Sequence, residues 1–169
     1  DDPHIWMDFK NTRKIARAIA SALVQKDPSH REIYGANLQA FEQELQALDE
    51  AYQQGLASCQ SREVVHIGHL AFGNLTGNYN LSLSALAGSS HDGENSVRQL
   101  AELVKFIRQN NIRTIFTEET LSPRLSAAVA EETGAQVLPL YTVEHVSKQD
   151  FDNGVTYGEL MRPNLDSLQ

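Results

Sequence analysis

The sequence has a single cysteine, Cys59, among 169 residues. It therefore cannot close an internal disulfide or form a CxxC zinc or redox motif, and the cysteine count leaves the compartment open. No window approaches the roughly eighteen uninterrupted apolar residues that a membrane span needs. Positive charge is also scarce: 14 Lys and Arg face 22 Asp and Glu, for a net charge of −8. With neither a basic stripe nor an aromatic platform, that balance disfavours nucleic acid and anionic membrane as partners. There is no GxSxG nucleophile elbow, no Walker or GxGxxG phosphate cradle, and no Ser/His/Asp order that stands out. Internal repeats, low-complexity tracts and Pro/Gly-rich linkers are missing too. The chain opens Asp1-Asp2-Pro3 with neither methionine nor signal peptide, which reads as a processed or truncated product from which a leader could have been removed.

What is present is ordinary globular material, 41% hydrophobic and 21% charged, enough for one domain with a core. Ile15, Ile19 and Leu23 recur every four residues among alanines and predict a helix that Asp27-Pro28 ends. Ser29 and Glu32 fit a capping box. The next helix carries Tyr34, Leu38, Phe41, Leu45, Leu48, Tyr52 and Leu56, a spacing of fours and threes that buries one seam. From residue 62 short apolar runs alternate with helical patterns. Strands are expected at 63–67, 81–86, 112–117 and 136–140, with helices at 69–77, after Ser96 (a second capping box with Gln99), after Ser122-Pro123, and at 157–168 despite Pro163. Gly134 fits a left-handed helix cap. Such alternation predicts an α/β fold, a four-stranded mainly parallel sheet flanked by helices, with its only boundary near residue 10.

In open α/β sheets ligands bind beyond the carboxyl ends of the strands. Here those ends deliver His69, then His91, Asp92 and Glu94, then Glu118 and Glu119, then Glu144 and His145. Imidazole and carboxylate are divalent-metal ligands, and imidazole favours zinc. His66 falls inside the first strand and reads as a core histidine with its hydrogen bonds satisfied, whereas His69 stands at the strand's exit. Glu118-Glu119 also suits a helix start. His91 suits a surface loop, and His30 a solvated helix start.

Five stretches in register resemble one family. DPHIWMDF and the helix closing in KDP (2–28) are similar to the DPHxWLDP segment and linking helix of the periplasmic or lipoprotein solute-binding proteins of zinc and manganese ABC transporters. HLAFGNL (69–75) resembles that family's HxAFGYL. SVRQLAELVKFIRQNNIRTIFTEE (96–119), SPRLSAAVAEETGAQV (122–137) and YGELMRPNLDSL (157–168) follow in the family's order.

The resemblance implies two α/β lobes joined by a long helix, with metal between them, of which this chain would hold a remnant of the amino-terminal lobe (1–10), the linking helix (11–26) and the carboxy-terminal lobe (27–169). It implies His4 and His69 as ligands. Counting back from the last helix places His145 at a third position, where the family often has a carboxylate, with Glu144 adjacent. A further histidine would lie in the absent lobe. Imidazole ligands imply Zn²⁺ over Mn²⁺, carried as cargo to a membrane permease, in an exported periplasmic or cell-surface lipoprotein. LAGSSHDGENS departs from the family's loop, and His91 could offer an auxiliary site. A lobe without its partner would expose surface through which copies could associate. The alternative is a mononuclear zinc hydrolase with Glu118 as general base. A metal-dependent adhesin or assembly surface is a weaker third reading.

Overall fold

Four short strands, β1 (Glu63–Ile67), β2 (Ser82–Ala85), β3 (Thr114–Thr117) and β4 (Gln136–Pro139), lie in the order β2-β1-β3-β4, and every neighbouring pair is parallel. The computed structural model describes residues 2–85, 97–118 and 123–169. Parallel neighbours require crossovers, and α3 (Gly73–Asn78), α4 (Val97–Gln109) and α5 (Pro123–Thr133) supply them. Before the sheet come α1 (Phe9–Lys26) and α2 (Arg31–Ala57); after it come α6 (Lys148–Asp152) and α7 (Tyr157–Leu168). Among the described residues no helix is long and apolar enough to cross a membrane.

The sheet is buried on both faces because alternate side chains go to opposite sides. Val65, Ile67 and Ile115 join Leu103, Ile107 and Val129 from α4 and α5. Val64 and Phe116 face the other way, into a larger core with Leu45, Leu48, Tyr52 and Leu56 of α2, Leu75 of α3 and Met161 of α7. The α2 seam is as the spacing predicts, but it is fully buried only from Leu45 onward; Tyr34, Leu38 and Phe41 are half-buried. Ile19, Leu23 and Ile33 are exposed.

Several local expectations change. The Ser29–Glu32 capping box does not form. Residues Pro28–His30 make a 3-10 turn, and Ser29 donates instead to Asp27. His30 and Tyr34 also bond Asp27, so its carboxylate is the hub of that corner and titrates below the usual range. The helix expected from His69 begins four residues later, at Gly73. β3 starts two residues late because Asn111 takes a left-handed conformation (φ 52°) before it. The Ser96–Gln99 box and Ser122 lie outside the described residues. Gly134 does cap α5, at φ 71°.

α7 begins with a further capping box, Thr156 with Glu159. Its Asn164 is fully buried and spends both amide groups on one residue: Oδ1 accepts from the Tyr141 N–H at 2.7 Å and Nδ2 donates to the Tyr141 carbonyl at 2.8 Å. That clamps the chain as it leaves β4. Asn164→Ala removes two hydrogen bonds to half-buried backbone groups and should cost about 1–3 kcal/mol. Urea unfolding checks this, and a loss below about 1 kcal/mol would contradict the clamp.

His66 is fully buried on β1 with its ring edge-to-face against Phe72 at 4.7 Å. The expected burial is there, but the expected satisfaction is not: neither ring nitrogen has a hydrogen-bond partner among the described residues. Burial, with a smaller contribution from nearby His69, pushes its pKa down to about 3 from 6.5. Above pH 6.5 the ring is neutral in both folded and unfolded chains. As pH falls from there toward 3, the unfolded chain takes up a proton that folded His66 refuses. Stability then drops by up to ~1.4 kcal/mol per pH unit from this group. His66→Leu removes that dependence, so its unfolding midpoint should gain on the parent's progressively as pH is lowered. Parallel acid profiles would refute the assignment.

Candidate metal centre

The site forms where three chain segments meet at the carboxyl ends of the strands. The first is the segment before α1. Asp8 caps α1 by accepting from the Lys10 N–H at 2.8 Å, and Thr12 one turn in donates its hydroxyl to the Trp6 carbonyl at 2.8 Å. Tyr157 of α7 donates to that same carbonyl at 2.8 Å. Trp6 in turn donates its indole N–H to the Thr142 carbonyl at 3.0 Å. His4 sits on the 3-10 turn these bonds secure, buried, with its ring 5.4 Å from the Trp6 ring.

The second segment leaves β1. Gly68, at φ 151°, turns the chain, and the Ala71 N–H bonds back to the His69 carbonyl at 2.9 Å. His69 is thus held in a tight turn instead of a helix, with its ring centroid 5.1 Å from that of His4. Its Nδ1 is hydrogen-bonded to Oε2 of Glu118, the residue just past β3. The third segment follows β4. Val143 takes φ 58°, which is strained for a β-branched residue, and the Glu144 N–H returns to the Thr142 hydroxyl at 3.3 Å. This turn directs the Glu144 carboxylate inward, 3.3 Å from His69 Nε2 and 4.0 Å from His4 Nε2.

His4, His69 and Glu144 are the one group of three among the described residues whose ligand atoms all lie within 4.8 Å of one another. Tetrahedral zinc, with bonds of about 2.0–2.2 Å to N and O, sets its ligand atoms roughly 3.3–3.5 Å apart. The observed spacings are therefore near what such an ion requires, and two imidazoles with one carboxylate are a zinc-type donor set.

Of the residues expected from the sequence, the structure brings His4 and His69 together and leaves His145 out. His145 is exposed, and its neighbour Glu144 occupies the third place. The cause is the Val143 turn, since adjacent residues there point apart and a count along the chain cannot tell which faces in. Glu118 lies at the Nδ1 of His69, on the opposite side of the ring from the Nε2 that faces Glu144. His30 is exposed at the start of α2. His91, Asp92, Glu94 and Glu119 lie outside the described residues. Asp2 also contacts His4, and in the sequence only its place two residues before His4 marks it.

The Trp6 indole N–H ties the His4 segment to the loop after β4, and Trp6→Phe deletes that bond while keeping the apolar ring. Unfolding free energy should fall by about 1 kcal/mol, with the loss of one hydrogen bond leaving the Thr142 carbonyl less satisfied. Denaturant titration checks this; an unchanged midpoint would mean that the bond does not hold the segments together.

The model of a family described as zinc-uptake complex component A, periplasmic, matches residues 1–169. The chain is 33% identical over 168 residues to the high-affinity zinc uptake system protein ZnuA of Bacillus subtilis (strain 168), covering 99% of this chain and 52% of that protein. The Zn(II)-bound ZnuA-like domain of Streptococcus pneumoniae AdcA is similar in structure, with a TM-score of 0.84 at 32% identity over 99% of this chain and 62% of that one. The periplasmic zinc binding protein TroA from Treponema pallidum gives 0.84 at 25% identity, again over 99% and 62%. The chain thus spans about half the length of the Bacillus relative.

Proposed function

The chain belongs to the periplasmic zinc-uptake component A family, and we propose that it forms the carboxy-terminal lobe of a receptor that captures Zn²⁺ and passes it to the membrane permease of an ABC transporter. The observation that carries this reading is the convergence of His4, His69 and Glu144 on one point. Zn²⁺ is cargo, and no bond is made or broken in it. Two imidazole donors favour zinc over manganese, which stands lowest in the divalent affinity order and prefers oxygen ligands. Three donors leave room for a fourth, which the resemblance assigns to a histidine of the other lobe. Within this reading residues 11–26 serve as the linking helix and 27–169 as the lobe, and the whole receptor is exported to the periplasm or cell surface.

The hydrolase reading needs a general base beside a metal-bound water. Glu118 is engaged on the far side of His69, so its geometry does not favour that role. Calorimetry with metal-free protein tests the receptor reading. One Zn²⁺ should bind per chain and more tightly than Mn²⁺. His4→Ala, His69→Ala and Glu144→Gln should each weaken it by at least roughly tenfold, since each deletes a metal bond. His145→Ala should leave the isotherm unchanged. Zinc binding indifferent to His69→Ala, or lost in His145→Ala, would overturn the assignment.

A further inference from the structure

Both imidazoles of the cluster carry a carboxylate on the nitrogen that faces away from it. Asp2 Oδ1 lies 2.6 Å from His4 Nδ1 and also accepts the His4 backbone N–H at 3.0 Å. Glu118 Oε2 is bonded to His69 Nδ1. We propose that Asp2 and Glu118 are the positioning residues of the metal centre, each fixing one histidine as the tautomer whose Nε2 lone pair faces the ion. The proposal rests on the reading that His4 and His69 hold zinc.

The chemistry is simple. An ionised carboxylate can only accept, so the Nδ1 it faces must carry the proton, and Nε2 is left with its lone pair. The ring is also pinned against rotation. In both histidines Nε2 is the nitrogen directed at Glu144, at 4.0 and 3.3 Å. Carboxylates placed in this way raise ligand basicity and orient the ring before the ion arrives.

Each carboxylate is seated against a glycine. Asp2 Oδ2 accepts from the Asn74 N–H at 3.2 Å, and a Cβ on Gly73 would come within 2.7 Å of that oxygen. Asn74 returns a second bond, Nδ2 to the His4 carbonyl at 3.1 Å, so α3 holds both the histidine and its acceptor. On the other side a Cβ on Gly68 would meet the Glu118 carboxyl carbon at 2.7 Å and the His66 ring at 2.6 Å. Glycines 68 and 73 therefore bracket the His69 turn, and each leaves the space its carboxylate occupies. Gly68 is also required by its φ of 151°, so Gly73 offers the cleaner test.

The test is a set of variants read by zinc affinity, through competition with a chromophoric chelator, and by long-range ¹H–¹⁵N spectra of the metal-free protein. Asp2→Ala and Glu118→Ala should each lose roughly 10–100-fold in affinity. Asp2→Asn and Glu118→Gln should recover part of that loss, because an amide oxygen still accepts from Nδ1. Gly73→Ala should weaken zinc binding without lowering thermal stability, since alanine suits a helix and only the end of the Asp2 side chain is in its way. The parent spectra should show His4 and His69 protonated at Nδ1, with Asp2→Ala altering His4 alone and Glu118→Ala altering His69 alone. Alanine variants that bind zinc within threefold of the parent, or parent rings protonated at Nε2, would overturn the proposal. A parent that binds no zinc would overturn the receptor reading instead, and the metal-free spectra would still decide the tautomers.

Discussion

The hydrogen bond from the Trp6 indole to the Thr142 carbonyl joins residues 136 apart in sequence, and the centre depends on it. His4 comes from a segment that precedes both long helices and has no strand to hold it. Glu144 comes from the turn after the last strand. Only where that turn presents its carbonyl to Trp6 do the two lie on the same rim as His69. Tyr157 and Thr12 converge on the Trp6 carbonyl from α7 and α1, so the side chain's donor and the main chain's acceptor are both engaged. Through Tyr157, α7 thereby helps to fix Trp6.

The rest of the arrangement opposes what folding would otherwise favour. Val143 sits in a backbone region that costs a β-branched residue of order 1–3 kcal/mol. Three polar groups that could each be hydrated are aimed at one point. Beneath them His66 is buried with both nitrogens unpartnered among the described residues. Two well-filled apolar layers, one on each face of the sheet, offset these costs. Local strain gathered at one rim, over a core that is consistent throughout, is the usual mark of a functional site.

Much of this could be read in the sequence, and the exceptions have physical causes. Strand–helix alternation fixes the parallel sheet because a buried parallel strand is a short apolar run and each crossover is an amphipathic helix. His69 is legible because it follows β1 directly. His4 is not legible from periodicity, since a 3-10 turn has no repeating face, and only the DPHIW resemblance singles it out. That Glu144 lies with His4 and His69 while His145 is exposed goes with one left-handed residue, Val143, whose type argues against that conformation. The burial of His66 follows from its place in a strand, but the lack of a partner among the described residues depends on what the surrounding chain puts nearby, such as the Phe72 ring. Ser29 has the right spacing for a capping box, yet it lies inside the 3-10 turn of Pro28–His30, and α2 begins only after His30.

Residues 4, 69 and 144 are drawn from the first, middle and last thirds of the chain, and the sheet between them contains only long-range pairings. Topologies of this kind close their loops late and fold slowly. No partial intermediate lacking α7 would contain the Tyr157 and Asn164 bonds that hold the rim, so the centre can exist only once the last helix has docked. An ion held by His4, His69 and Glu144 would bind this fold only where all three segments are in place. Its binding energy is then added wholly to the native state, in proportion to the logarithm of its concentration. Were His4, His69 and Glu144 to hold such an ion, its supply would help determine how long the folded molecule lasts.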